Sequence, residues 1–242
     1  MSGKCGGYYR RRRRRGEGIL ITFVVLIASV LMIIGGVKLV IENWAAPTGT
    51  SGDLAVSGTN EDDWRLALVN PWNPIQENYE PELTELRNGE MVDSRIYPDL
   101  QKMFDDARSY GLEPYVTSGY RTNEVQQSLM DEEIENYLSQ GYSEEEARRT
   151  AEQWVAIPGT SEHQVGLAVD ISMEDNGSQG ASDLWQWLMA NSYKYGFVLR
   201  YPEDKTDITG ISYEPWHYRY VGKEAAGEIY RKGICLEEYL DD

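Results

Sequence analysis

The 242-residue chain holds only two histidines, and each lies close to a carboxylate. His163 sits in the run Ser161-Glu162-His163-Gln164-Val165-Gly166-Leu167-Ala168-Val169-Asp170, and His217 closes Glu214-Pro215-Trp216-His217. Two imidazoles and one carboxylate are a common ligand set for a catalytic zinc, which keeps a fourth position open to water. A second carboxylate outside that set can serve as general base. The chemistry open to these residue types is zinc-assisted hydrolysis. Taken singly, either segment also fits a hydrogen-bonded surface histidine, since short motifs produce false positives. What joins the two is that no histidine is spent elsewhere.

Strands and loops must position these groups. Gly166 precedes an alternating run in which Leu167, Val169 and Ile171 oppose Ala168 and Asp170, the pattern of a half-buried strand. That alternation turns Asp170 away from the apolar face, and the glycine-hinged loop before it delivers His163. Pro215 excludes a helix interior at Glu214–His217 and biases Glu214 towards extended backbone. The helical His-Glu-x-x-His arrangement of many zinc proteases is therefore ruled out. Upstream, Tyr115 to Thr117 reads as a buried strand leading into Ser118-Gly119-Tyr120-Arg121. An arginine at that point, opening a helix, can grip a carboxylate with its planar fork, helped by the helix dipole. A structural salt bridge is the competing reading of Arg121.

With these motifs in view, Ser161-x-His163-x-x-Gly166-x-Ala168-x-Asp170, Glu214-Pro215-Trp216-His217 and Ser118-Gly119-Tyr120-Arg121 closely resemble the VanY-type D-alanyl-D-alanine carboxypeptidases. That family shares its zinc fold with lysostaphin-like peptidases and the hedgehog signalling domain, and the likeness spans roughly Leu68 to Tyr239. The resemblance implies zinc ligands His163, Asp170 and His217, with Glu214 as catalytic base. It further implies that Arg121, Ser161 and Gln126 hold the substrate, with Tyr201 and Trp216 lining the site. The implied reaction removes the C-terminal D-alanine from peptidoglycan stem peptides. Trimming a four-residue stem as an L,D-carboxypeptidase, endopeptidase action, and a non-catalytic wall-binding zinc domain are the alternatives; Arg121 disfavours the second and Glu214 the third.

The remaining elements form no regular βαβ repeat, which points to an α+β domain, a small mainly antiparallel sheet with packed helices. Leu66 to Val69 reads as a short strand, and Pro98 to Tyr110 as a helix with Leu100, Met103, Phe104 and Ala107 on one face, stopped by Gly111. Thr122 to Gln140 and a second helix opened by the capping box Ser143-Glu144-Glu145-Glu146 make an acidic hairpin. Asp183 to Tyr195 is amphipathic, with Trp185 and Trp187 as packing residues. Phe197 to Tyr201 and Tyr218 to Val221 are strands around a polar loop, Pro202 to Gly210. A last helix, Lys223 to Arg231, precedes an acidic tail.

The formal net charge of −17 conceals a basic N-terminus. Lys4, Arg10 to Arg15 and Lys38 face a single acid, Glu17, in the first 41 residues, so the remainder is more acidic than the total. A body that acidic argues against a nucleic-acid partner. Gly18 to Val37 carries no charge and, at about 1.5 Å per residue, spans the roughly 30 Å hydrocarbon core. The preceding arginines leave the N-terminus cytoplasmic and export the rest. A cleavable signal peptide is the rival, but its apolar region is shorter and ends in a small-x-small site. The expected organisation is a basic cytoplasmic tail (1–17), a membrane anchor in the bilayer (18–41), a flexible linker (42–63) and an extracytoplasmic zinc carboxypeptidase domain (64–242). Cys5 and Cys235 fall on opposite sides of the membrane and build no disulfide framework; Cys235 reads as a small buried apolar residue.

Overall fold

The computed structural model describes residues 64–76, 79–173 and 177–241. The tail, anchor, linker and Cys5 lie outside the described residues. Among the described residues, no helix is long and apolar enough to cross a membrane.

A hairpin of β1 (Leu83–Glu85) and β2 (Met91–Asp93) comes first, followed by α1 (Tyr97–Ser109), β3 (Pro114–Ser118), α2 (Asn123–Ser139) and α3 (Glu144–Ala151). Next come β4 (Ala168–Met173), α4 (Gly177–Asn191), β5 (Phe197–Leu199), the short α5 (Thr206–Thr209) and β6 (His217–Tyr220). The chain ends in α6 (Lys223–Lys232) and α7 (Leu236–Asp241). Strands β3, β4, β6 and β5 form one antiparallel sheet in that order. The architecture is α+β, as the irregular order of elements implies.

Side chains two residues apart share a face of a strand. One face of the sheet carries Val116, Val169, Ile171 and Tyr218, which join Leu100, Met103 and Phe104 of α1 and Leu184 and Leu188 of α4 in the main core. The opposite face carries Asp170, His217 and Arg219. A second apolar cluster, centred on Val198, Val221, Ala226, Ile229 and Leu236, seats α6 and α7. The helix caps follow the sequence signals. Thr122 Oγ1 accepts the Val125 N–H, and Ser143 and Glu146 complete the capping box. Cys235 is buried, and Trp185 and Trp187 pack against the core.

Several expectations are corrected. β4 is buried on both faces rather than one, because a further layer covers Asp170 and Ala168. Leu66 to Val69 is not a strand: a 3-10 turn covers Trp64–Leu66, and the Arg65 and Ala67 carbonyls accept from the Arg219 guanidinium instead of a neighbouring strand. The loop after Tyr201 contains α5, and the helix before Gly196 breaks into α4 and a 3-10 turn, Ser192–Tyr195. The acidic tail is helix α7, whose Leu236 is buried and whose Glu237 turns inward.

That inward turn has an electrostatic cause. Arg200 donates from Nε to Glu162 Oε1 (2.8 Å), and from Nη1 and Nη2 to the two Glu237 oxygens (2.8 and 2.6 Å). Arg219 Nη1 donates to the same Glu162 Oε1 at 2.7 Å. Two guanidinia and two carboxylates thus neutralise each other out of water, and removing one partner of such a set is costly. Burial pushes the Glu237 carboxyl up, but the charge and hydrogen bonds of Arg200 outweigh it and hold the group below its ordinary range. A carboxyl depressed on folding adds stability above its unfolded pKa, about 4.3, and loses it as pH falls through the folded value. Glu237→Gln should therefore lower the unfolding free energy by about 1–3 kcal/mol at pH 7. Urea denaturation should show that gap closing as pH drops below about 4; a gap independent of pH would contradict the assignment.

Candidate metal centre

Three segments deliver the site. Ser161 precedes a 3-10 turn, Glu162–Val165, that ends at Gly166 with φ 72°. A side chain is strained in that left-handed conformation, and glycine lets the turn pass directly into β4. His163 is therefore held on a turn rather than on a loose loop. Asp170 lies on β4 directly opposite His217 on β6. The His217 N–H donates to the Glu214 carbonyl at 3.1 Å, so Pro215 and Trp216 form a tight turn that folds Glu214 back beside His217.

The donor atoms converge. His163 Nε2 is 3.4 Å from Asp170 Oδ2, and His217 Nδ1 is 3.1 Å from Asp170 Oδ1. One ligand atom from each of the three residues can be chosen so that all lie within 4.8 Å of one another, and all three residues are buried. Ligands about 2.0–2.2 Å from a tetrahedral zinc are roughly 3.3 Å apart, so the spacing fits. Asp170 Oδ1 is buried with no hydrogen-bond partner among the described residues, close to His217 without being aligned to bond it. An orphaned oxygen on a carboxylate flanked by two imidazoles is what a divalent cation would satisfy. His163 Nδ1 meets the Gly119 carbonyl at 2.8 Å, which leaves Nε2 for the cation. A side chain at Gly119 would run into the Met91 carbonyl, so glycine is required for that approach.

The surroundings set the protonation states in the absence of a cation. Burial, helped by the Arg121 charge, pushes the His163 imidazole down to about 4, so it stays neutral. Burial also opposes charge on His217, but the neighbouring carboxylates of Asp170, Glu162 and Glu214 overcome this and raise it to about 9. Burial opposes charge on Asp170, but its contacts with His163 and His217 outweigh it and hold the carboxyl well below the usual carboxylate range. Glu214, 3.5 Å from His217 Nδ1, is pushed up to about 8 by burial and by the Asp170 charge.

The other expected site residues are placed unevenly. Arg121 realises the salt-bridge reading: Nη2 donates to Asp170 Oδ2 at 2.8 Å, Nε to Ser118 Oγ at 2.8 Å and Nη1 to Gln126 Oε1 at 3.3 Å. It also lines a cavity of ≈ 360 Å³ beside Tyr79, Tyr120, Asn123 and Gln164. Gln126 is fully buried, and its amide nitrogen donates to the Ala156 carbonyl, so it steadies Arg121 and does not face the cleft itself. Ser161 is buried at the head of the 3-10 turn. The Tyr201 ring lies 4.8 Å from that of His217. Trp216 is half-buried against Trp185, and its carbonyl accepts the Ile171 N–H. Sequence reasoning assigned nothing to Glu90, whose carboxylate accepts the Gly119 N–H at 2.8 Å, or to Glu162, Arg200 and Arg219. The available signal was an acid adjoining His163 and arginines inside apolar strand runs.

The family described as "VanY: D-alanyl-D-alanine carboxypeptidase" matches residues 89–223. A D-alanyl-D-alanine carboxypeptidase of Enterococcus faecalis is 54% identical over 200 residues, covering 83% of this chain and 72% of the relative. The crystal structure of the vancomycin-resistance D,D-pentapeptidase VanY from a VanB-type cassette, in complex with Zn(II), is 56% identical with a TM-score of 0.71. It covers 73% of this chain and 99% of that one. VanYB in complex with D-alanine-D-alanine is similarly close, at 56% identity and TM-score 0.72, over 74% and 98% of the two chains.

Zinc added to chelator-treated protein should raise its melting temperature, because a ligand of the folded state alone stabilises it. Asp170→Asn, which keeps the shape but gives up the anionic ligand, should abolish the shift. A shift with unchanged zinc dependence in Asp170→Asn would remove Asp170 from the ligand set.

Proposed function

The chain belongs to the VanY family of D-alanyl-D-alanine carboxypeptidases, and we propose that it removes the C-terminal D-alanine from peptidoglycan stem peptides by zinc-dependent hydrolysis. The observation that carries this reading is the convergence of His163, Asp170 and His217 on one point, with Glu214 beside it. His163 Nε2, the Asp170 carboxylate and His217 Nδ1 would hold the zinc. When bound, zinc acidifies water and polarises a carbonyl oxygen.

The protein's own groups do the rest. Glu214 takes a proton from the attacking water and returns it to the leaving amine, acting first as base and then as acid. Its buried position suits both roles, because a carboxyl with a raised pKa binds the proton more readily than an exposed one. Arg121 keeps guanidinium N–H groups beyond those bonded to Asp170, Ser118 and Gln126, and these donate to the free carboxylate of the substrate as a planar fork. Gln126 and Ser118 fix the fork, Ser161 heads the turn that carries His163, and Tyr201 braces the His217 ring. A clamp on the terminal carboxylate sets the register one residue from the end, which makes the enzyme an exopeptidase.

We further propose that residues 18–41 anchor the chain in the membrane with the catalytic domain outside, where such stems are found. The uncharged run Gly18 to Val37 and the arginines before it support that reading.

Incubating the full chain with pentapeptide and tetrapeptide stems and weighing the products tests the substrate. Loss of one alanine from the pentapeptide is expected. Trimming of the tetrapeptide alone would make the enzyme an L,D-carboxypeptidase, and intact stems throughout would refute the activity. Glu214→Ala should retain bound zinc while kcat falls at least about 100-fold; His217→Ala should lose both. In the parent, kcat/KM should rise with pH along an acid limb that reports ionisation of Glu214. That limb should lie below 8, because a bound cation favours the carboxylate.

A further inference from the structure

We infer that Glu162 is a positioning residue for the metal centre: its free carboxylate oxygen fixes the tautomer of His217 that leaves Nδ1 open to the cation. The inference rests on the zinc reading above and deepens it.

Glu162 is 1% exposed, yet its two oxygens are used unequally. Oε1 alone accepts from both Arg200 Nε and Arg219 Nη1. Oε2 is buried with no hydrogen-bond partner among the described residues, and so is His217 Nε2. These two orphaned atoms lie 3.8 Å apart. A carboxylate serving only as counter-ion to two guanidinia would offer one oxygen to each. Here both guanidinia are stacked on one oxygen, and the other is reserved for the imidazole.

The consequence for His217 follows from hydrogen-bond polarity. An ionised carboxylate only accepts, so the ring nitrogen beside Glu162 keeps its proton, and Nδ1, on the Asp170 side, is the nitrogen that gives way to the cation. Carboxylates behind metal-bound histidines orient the ring and raise its donor strength in this way. The two histidines are handled differently. A neutral carbonyl, that of Gly119, holds His163 Nδ1, whereas an anion stands behind His217 Nε2. One 3-10 turn does both jobs, since Glu162 clamps His217 while the next residue, His163, reaches the cation from the other side. The clamp is itself fixed from two directions. Arg219 bonds the carbonyls of Arg65 and Ala67, and Arg200 is gripped by Glu237 of α7.

Glu162→Gln provides a sharp test because it reverses the polarity at nearly constant volume. Only an oxygen can sit between the two guanidinia, so the new amide must point its NH2 at His217 Nε2. The ring would then accept at Nε2 and carry its proton on Nδ1, where the cation belongs. Chelator competition on the full-length parent, Glu162→Gln and Glu237→Gln should show zinc binding weakened 10- to 100-fold or more in Glu162→Gln. Glu237→Gln, which disturbs the same charge network away from His217, should bind zinc like the parent. Equal affinity in Glu162→Gln and parent, or equal weakening in both variants, would overturn the inference. Imidazole 15N spectra of the zinc-loaded parent give a reading that needs no variant to fold, because the chain has only two histidines. A proton on His217 Nε2 is expected; coordination through Nε2 would overturn the inference. A parent that bound no zinc would overturn the metal-centre reading itself, and this inference with it.

Discussion

Residues directly opposite each other in an antiparallel pair hold their Cβ atoms roughly 4.5–5.5 Å apart on one face of the sheet. In the β4–β6 pair that position belongs to Asp170 and His217. A slip of one residue would turn one of them to the apolar face and replace it with Val169 or Tyr218. The hydrophobic pattern prevents that slip. Val169, Ile171 and Tyr218 are buried against α1 and α4, and exposing them would cost about 1.5–3 kcal/mol each. The core thus fixes the register, and the register brings two of the three candidate ligands together. The third, His163, needs only the short turn ended by Gly166 to reach the same point.

Behind that pair lies a second constraint. The face of the sheet that carries the site is covered, not open to water, so its polar groups must satisfy one another. Ala168 is opposite Arg219, and the small residue leaves room for the guanidinium. Arg219 reaches the Arg65 and Ala67 carbonyls, which draws residues 65–67 onto the sheet without a strand. Arg200 reaches Glu237 and so pins the C-terminal helix. Glu162 joins both arginines and ends beside His217. The two ends of the described domain therefore meet in one buried charge network, of which Glu162 alone adjoins the candidate centre.

The sequence announced its chemistry more clearly than its architecture. Two histidines near carboxylates, a proline next to Glu214 and a glycine before an alternating run pointed to a zinc site, and the resemblance to VanY-type carboxypeptidases implied His163, Asp170 and His217 as its ligands with Glu214 as base. Periodicity and capping gave α1, α2 and α3 to within a residue or two. What stayed hidden had no local signature. Leu66 to Val69 alternates like a strand, but its backbone partner is a guanidinium more than 150 residues away in sequence. Glu237 belonged to a stretch read only as an acidic tail, and the placement of Arg200 makes it a buried ion. Arg121 took its salt-bridge reading, bonded to Asp170, and also lines a cavity. Charge pairing across the fold is a property of three-dimensional placement, and it decided each of these cases.

The account stands on three distant side chains clasping one cation through particular atoms. Anomalous-difference diffraction at the zinc absorption edge, on crystals of the zinc-loaded protein, tests this most directly. It should show one ion bonded to His163 Nε2, the Asp170 carboxylate and His217 Nδ1, with the Glu214 carboxylate near but unbound. An ion elsewhere on the protein, or one that omits any of those three side chains, would contradict it.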